Sequence, residues 1–167
     1  FRNTSFHILS KLDRIEGSKL DPADDFIREN LGKILHNNPS YYEKLLKINN
    51  HDAGPDIQFS GDIFYYEKQG RRVSQFHMST GENLLISVLN SINLRNNDRA
   101  SLSKPCVLFL DEIELALHPS SLKRLVAFLT EMSKRYNYAI YFSTHSIELI
   151  GAIRPDNIFF LERHADG

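Results

Sequence analysis

Asp111 and Glu112 stand side by side at the end of the apolar run Val107-Leu108-Phe109-Leu110. Adjacent carboxylates repel, and a bound metal with a water to be activated beside it would give both a task. His145 closes a second apolar stretch, Ala139-Ile140-Tyr141-Phe142, through Ser143 and Thr144. A histidine at such a strand end can contact a terminal phosphate or orient a water. A third group, Met78-Ser79-Thr80-Gly81-Glu82, leads into Leu84, Leu85, Val88, Leu89 and Ile92 at helical spacing. A helix beginning near Gly81 offers unpaired amides, a positive dipole end, the Ser79 hydroxyl and close backbone approach, which together suit a phosphate. Each group also has a plainer reading: a solvated acidic turn, a histidine bonded to a loop, and an ordinary serine N-cap.

The elements that must position these residues follow from periodicity. The 107–110 run reads as a strand buried on both faces, as in a parallel sheet, and such a strand delivers Asp111 to the edge where ligands bind in α/β folds. Ser120 to Tyr136 reads as an amphipathic helix with Leu122, Leu125, Val126, Leu129 and Met132 inward. Its length suits a crossover to a parallel neighbour at 139–142, which puts His145 on the edge that carries Asp111. Residues 1–50 read as helical. One helix opens at Asp21-Pro22 with Phe26, Ile27, Leu31, Ile34 and Leu35 as its apolar face, and a second opens at a Ser40–Glu43 capping box and runs through Leu45, Leu46 and Ile48. Asn49 to Pro55 is a breaker-rich connection, and strands near 57–66 and 71–76 form a hairpin about Gln69-Gly70-Arg71. Asn93 to Lys104 is expected as a surface loop and Asn157 to Leu161 as a last strand. Tyr65 and Tyr66 suit packing or base stacking.

Taken in order, the three motifs resemble the ATP-binding-cassette ATPases. Met78–Glu82 resembles their signature motif, Leu108–Glu112 their Walker B strand with its catalytic glutamate, and Ser143–Ser146 their switch histidine. The continuation Glu114-Leu-Ala-Leu-His118-Pro119 departs from the transporter form. It is similar instead to the soluble overcoming-lysogenization-defect ATPases, their retron- and Septu-associated relatives and, more distantly, the RecF and structural-maintenance branch. The resemblance covers about residues 73–161 and implies an α/β P-loop NTPase core, with a parallel sheet flanked by helices and a helical lobe carrying the signature. The expected division is a helical lobe over 1–55 and the C-terminal part of the core over 56–167. The implied chemistry is ATP hydrolysis with Mg²⁺. Asp111 supports the metal, Glu112 and His145 are catalytic, and Ser79, Thr80, Gly81 and Glu82 contact the nucleotide of a second copy of the head. A nuclease or other effector subunit, and DNA, are the implied partners. A non-hydrolysing scaffold and a transporter's ATP-binding subunit remain the alternatives.

No Gly-x-x-x-x-Gly-Lys-Ser/Thr string occurs in the chain. A phosphate-cradling loop is therefore expected upstream in a longer protein, and the 167-residue piece alone is expected to be inactive. With 41% hydrophobic and 25% charged residues the composition is that of an ordinary globular domain. The single Cys106 excludes an internal disulfide and suits the cytosol, and the seven histidines lack ligand spacing for a zinc site. No apolar stretch is long enough to span a membrane. A net charge of −1 excludes a wholly basic nucleic-acid module, and the small clusters Lys68/Arg71/Arg72 and Lys123/Arg124 read as solvated faces.

Overall fold

The computed structural model describes residues 12, 14–48, 62–68 and 70–161. The expected connection at 49–55, the hairpin's first residues 57–61 and Gln69 lie outside them. The chain divides into two compact units, Phe1–Leu102 and Ser103–Gly167, so the division falls later than the expected boundary near residue 55.

The first unit is built on an antiparallel sheet in the order β1-β2-β3-β4: Leu20–Pro22, Leu45–Ile48, Phe64–Lys68 and Arg71–Ser74. Leu12, Ile15, Leu20, Ile48, Ile63 and Tyr65 form one buried cluster against it. A hairpin forms between β3 and β4 about the expected turn, with Lys68 opposite Arg71, but its first strand runs on to Lys68 and its second ends at Ser74, before a 3-10 turn at Gln75–His77. Gly70 supplies the left-handed backbone, φ +72°, that the tight turn needs. Both tyrosines act in packing here. Tyr65 is buried with its hydroxyl on the Leu12 carbonyl at 3.0 Å, and Tyr66 reaches the Tyr41 carbonyl at 2.9 Å.

Three expectations for this unit are corrected. Asp21-Pro22 does not open a helix: Pro22 pairs with Leu46 at the end of edge strand β1, where a missing N–H is tolerated. Helix α1 runs later, Asp25–His36, burying Ile27, Leu31, Gly32 and Ile34. Ser40–Glu43 makes turns rather than a capping box, and Leu45–Ile48 is strand β2. A four-residue apolar run fits either helix or strand, and the neighbours β1 and β3 offer this one a ladder on both sides. Helix α2, Thr80–Asn97, packs on α1 and buries Leu85, Ile86, Val88, Leu89 and Ile92. It runs well into the segment expected as loop, past the buried Asn93, and short α3 follows at Arg99–Leu102.

In the second unit β5, Cys106–Leu110, pairs in parallel with β6, Tyr138–Phe142, through the crossover helix α4, Pro119–Tyr136. The expected helix stripe holds, with Phe128 buried in place of Val126. His118 caps α4: its Nδ1 accepts the Ser120 N–H at 3.4 Å, and Pro119 takes the first helical position. α4 packs against β6 and against α5, Ile147–Ala152. The strands are not buried on both faces as expected. Val107, Phe109 and Tyr141 are exposed, at 54, 75 and 52%, because α4 lies on one side and no described element of this unit covers the other. Residues 158–161 form no strand and remain exposed, since a strand needs a neighbour to take its hydrogen bonds.

One glycine fixes how α1 ends. Asn37 takes a left-handed conformation (φ 54°), and the Asn38 N–H turns back to the Gly32 carbonyl at 3.2 Å. A Cβ on Gly32 would lie 2.2 Å from the Asn38 carbonyl oxygen, a backbone atom with nowhere to go. Gly32→Ala should therefore destabilise the protein by about 1–3 kcal/mol despite alanine's better helix propensity, measured as a lower urea midpoint.

Candidate functional site

Parallel pairing in register decides where the acidic pair lies. Leu110 is opposite Phe142, so Asp111 and Ser143 leave the sheet together. The Ser143 N–H donates to the Leu110 carbonyl at 3.0 Å, extending the ladder one residue past the strands. The Ser143 hydroxyl donates to Asp111 Oδ1, and its oxygen accepts the Glu112 N–H at 3.2 Å. One hydroxyl thus holds both members of the acidic pair. Glu112 has φ 46° and ψ 43°, a left-handed conformation rare for a residue with a side chain. The chain turns sharply there and leaves the Glu112 carboxylate exposed.

The histidine loop is tied to the same turn. Glu114 Oε1 accepts the His145 N–H at 2.6 Å. Burial alone would raise the Glu114 carboxyl, but the His145 amide and the Thr144 hydroxyl outweigh it and hold the group below its usual range. Glu112, Glu114 and His145 line one open groove of about 470 Å³, with Leu117, Leu122 and Ser146 among its other walls. The structure therefore brings Asp111, Glu112 and His145 to one sheet edge, as the spacing predicts.

Ser79, Thr80, Gly81 and Glu82 lie in the first unit, at the start of α2. Ser79 and Thr80 are exposed and Gly81 is buried. Ser79 is an N-cap within a full capping box. Its hydroxyl oxygen accepts the Glu82 N–H at 3.2 Å, and Glu82 Oε2 accepts both the Ser79 N–H and the Ser79 O–H at 2.8 Å. The plainer reading of Ser79 is thus realised in the structure, and the same geometry aims the helix's amide end outward. Glu82 Oε1 also accepts the Tyr42 O–H at 2.6 Å. Burial would raise the Glu82 carboxyl, but the hydrogen bonds from Tyr42 and Ser79 prevail and lower it.

Three contributors escape sequence reading: Ser143, Glu114 and Tyr42. The first two stand inside the quoted Ser143–Ser146 motif and Glu114–Pro119 continuation, where nothing in the sequence assigned them a role of their own. Tyr42 carried none, being 40 residues from its partner Glu82. No cluster of three or more His, Cys, Asp or Glu able to hold a metal occurs among the described residues. Where the two strands end together, Asp111 and Ser143 offer a carboxylate and a hydroxyl. Hard oxygen donors in such small number fit Mg²⁺, which keeps most of its shell as water and phosphate.

Against known families, residues 7–151 match the family described as "AAA domain, putative AbiEii toxin, Type IV TA system". The chain belongs to this AAA domain family. It is also similar to an energy-coupling factor transporter ATP-binding protein from Methanospirillum hungatei, 30% identical over 77 residues, covering 46% of this chain and 24% of the relative. A counterpart from Methanoculleus marisnigri is 28% identical over 87 residues, covering 52% of this chain and 28% of the relative. The chain thus spans about a quarter of the length of these curated relatives. A solved structure described as "Structural biochemistry of ATP-driven dimerization and DNA stimulated activation of SMC ATPases" superposes with a TM-score of 0.51 at 14% identity. That match covers 90% of this chain and 77% of the other. The AAA domain therefore has the P-loop ATPase fold of SMC and ABC heads, a mixed α/β arrangement with a parallel sheet. No described helix is long and apolar enough to cross a membrane.

The capping box makes stability pH-dependent. Because folding lowers the Glu82 carboxyl, its contribution is fully present above the ordinary glutamate range and is lost as pH falls through the lowered value. Urea unfolding of the AAA domain should show a midpoint that declines through that acidic window. Glu82→Gln should have a lower midpoint at neutral pH and a flatter decline.

Proposed function

We propose that this AAA domain supplies the signature helix, the metal-side aspartate, the catalytic glutamate and the switch histidine of a soluble ABC-type ATPase. Two heads would close around ATP and switch a DNA-directed or antiphage effector of the overcoming-lysogenization-defect, retron or Septu kind. A phosphate-binding loop would come from elsewhere in the full protein. The observation that carries the reading is the Ser143 hydroxyl joined to both Asp111 and the Glu112 backbone at the end of two in-register parallel strands.

Each residue's part follows from its place. Asp111, with Ser143 beside it, would hold Mg²⁺, which would supply positive charge to offset that of the phosphates. Glu112, exposed on its sharp turn, would accept a proton from, and orient, the attacking water. His145, on a loop whose amide is fixed by Glu114, would bond the terminal phosphate and respond to its departure. Ser79 and the first amides of α2 would meet the γ-phosphate held by the other head. Catalysis would then consist of positioning and electrostatics, and loss of the γ-phosphate would release the heads.

The similarity to transporter ATP-binding proteins favours a second reading, in which the head serves a membrane permease. In this chain His118-Pro119 is used to cap α4, and copurification of the full-length protein with a permease would favour that reading. A non-hydrolysing scaffold would show no turnover at all.

In the full-length protein, Glu112→Gln should lower kcat by about 100-fold or more while ATP binding and head closure persist, read by phosphate release and light scattering. Unchanged phosphate release in that variant would refute the assignment.

A further inference from the structure

Behind the serine at the start of α2 lies a chain of hydrogen bonds, centred on the buried Tyr42, that the motif itself does not contain. Tyr42 is fully buried in the first unit, packed against Tyr66 at 4.9 Å between ring centres. Its hydroxyl is 2.6 Å from Glu82 Oε1 and 3.2 Å from His36 Nε2. The Glu82 carboxylate can only accept, so the Tyr42 proton points to it. The phenol oxygen must then accept from His36, which places a proton on Nε2. His36 is held for this by stacking on Tyr41, with ring centres 3.6 Å apart. The chain runs His36 to Tyr42 to Glu82, and Glu82 Oε2 in turn takes the Ser79 N–H and O–H. Burial and the nearby Glu82 carboxylate push the Tyr42 phenol far upward, so it stays a donor at any physiological pH.

We propose that Tyr42 is a positioning residue for Ser79: its hydroxyl pins the Glu82 carboxylate, so that Ser79 can turn its own proton from Glu82 to an incoming phosphate without the helix start coming apart. This rests on the reading of Ser79 as a phosphate contact. The physical problem is specific. An anionic side chain at the mouth of an anion-binding helix repels the ligand and competes with it for the serine proton. With Tyr42 donating to one oxygen, part of that charge is neutralised and the carboxylate cannot swing. When the Ser79 hydroxyl rotates away, Glu82 keeps the Tyr42 O–H and the Ser79 N–H, and its own N–H still reaches the Ser79 oxygen. Without the phenol proton, Glu82 would retain the serine proton and present an uncompensated charge to the phosphate.

The test uses the full-length protein with Tyr42→Phe and Ser79→Ala, assayed for ATP turnover. ATP-driven dimerisation is followed by light scattering in a Glu112→Gln background. Tyr42→Phe keeps the buried ring and should lower kcat by about tenfold or more with KM for ATP within about twofold, and should weaken dimerisation in parallel. His36→Phe preserves the stack on Tyr41 and should give a smaller loss of the same kind. It also serves if Tyr42→Phe does not fold, and wild-type kcat in it would then overturn the proposal. If Ser79→Ala abolishes turnover while Tyr42→Phe hydrolyses and dimerises like wild type, the positioning role is wrong and the phosphate contact stands. If Ser79→Ala itself is fully active, the phosphate contact is wrong and the role of Tyr42 falls with it.

Discussion

The candidate centre depends on one shared hydroxyl. Ser143 stands between Asp111 and the Glu112 amide only because β5 and β6 run parallel and end in register. A shift of one residue in that pairing would move Ser143 away from Asp111 and turn alternate side chains to the other face. The left-handed Glu112 follows from the same constraint. The chain must turn at once after Leu110, and the bond from its amide to Ser143 helps hold a conformation that costs roughly 1 kcal/mol in isolation. Glu114 then extends the linkage to the His145 amide. The acidic pair and the histidine are thus joined by hydrogen bonds through Ser143 and Glu114, to which the motifs assign no role of their own.

The start of α2 applies a similar rule to a different element. An N-terminus that presents amides to an anion needs its cap satisfied from within, or the cap competes with the ligand. Glu82 satisfies the Ser79 cap, and the buried Tyr42 satisfies Glu82. In both places an exposed group is paired with a partner that fixes its orientation. Hydrogen bonds to charged groups contribute about 1.5–3 kcal/mol each, enough to select one geometry over the alternatives.

The apolar face of β5 and β6 shows what the second unit's strands are made for. Parallel strands are normally covered on both sides, and Phe109 and Tyr141 stack on each other, 5.4 Å between ring centres, on a face that no described element of that unit covers. The sequence composition of these strands matches a two-sided environment.

What the sequence determined by itself was whatever is local and periodic. The α4 stripe, the turn at Gly70 and the cap at Ser79 follow from side-chain spacing and capping chemistry, each readable within about twenty residues, and the common edge of Asp111 and His145 follows from the crossover rule. The tertiary structure decided whatever depends on distant partners. Leu45–Ile48 became a strand because β1 and β3 flank it, residues 158–161 did not become one because no described strand pairs with them, and Tyr42 found Glu82 across 40 residues. Backbone hydrogen bonds in a sheet, and side-chain bonds between separate elements, are satisfied only when the chain has brought its segments together, so no single stretch of sequence contains them.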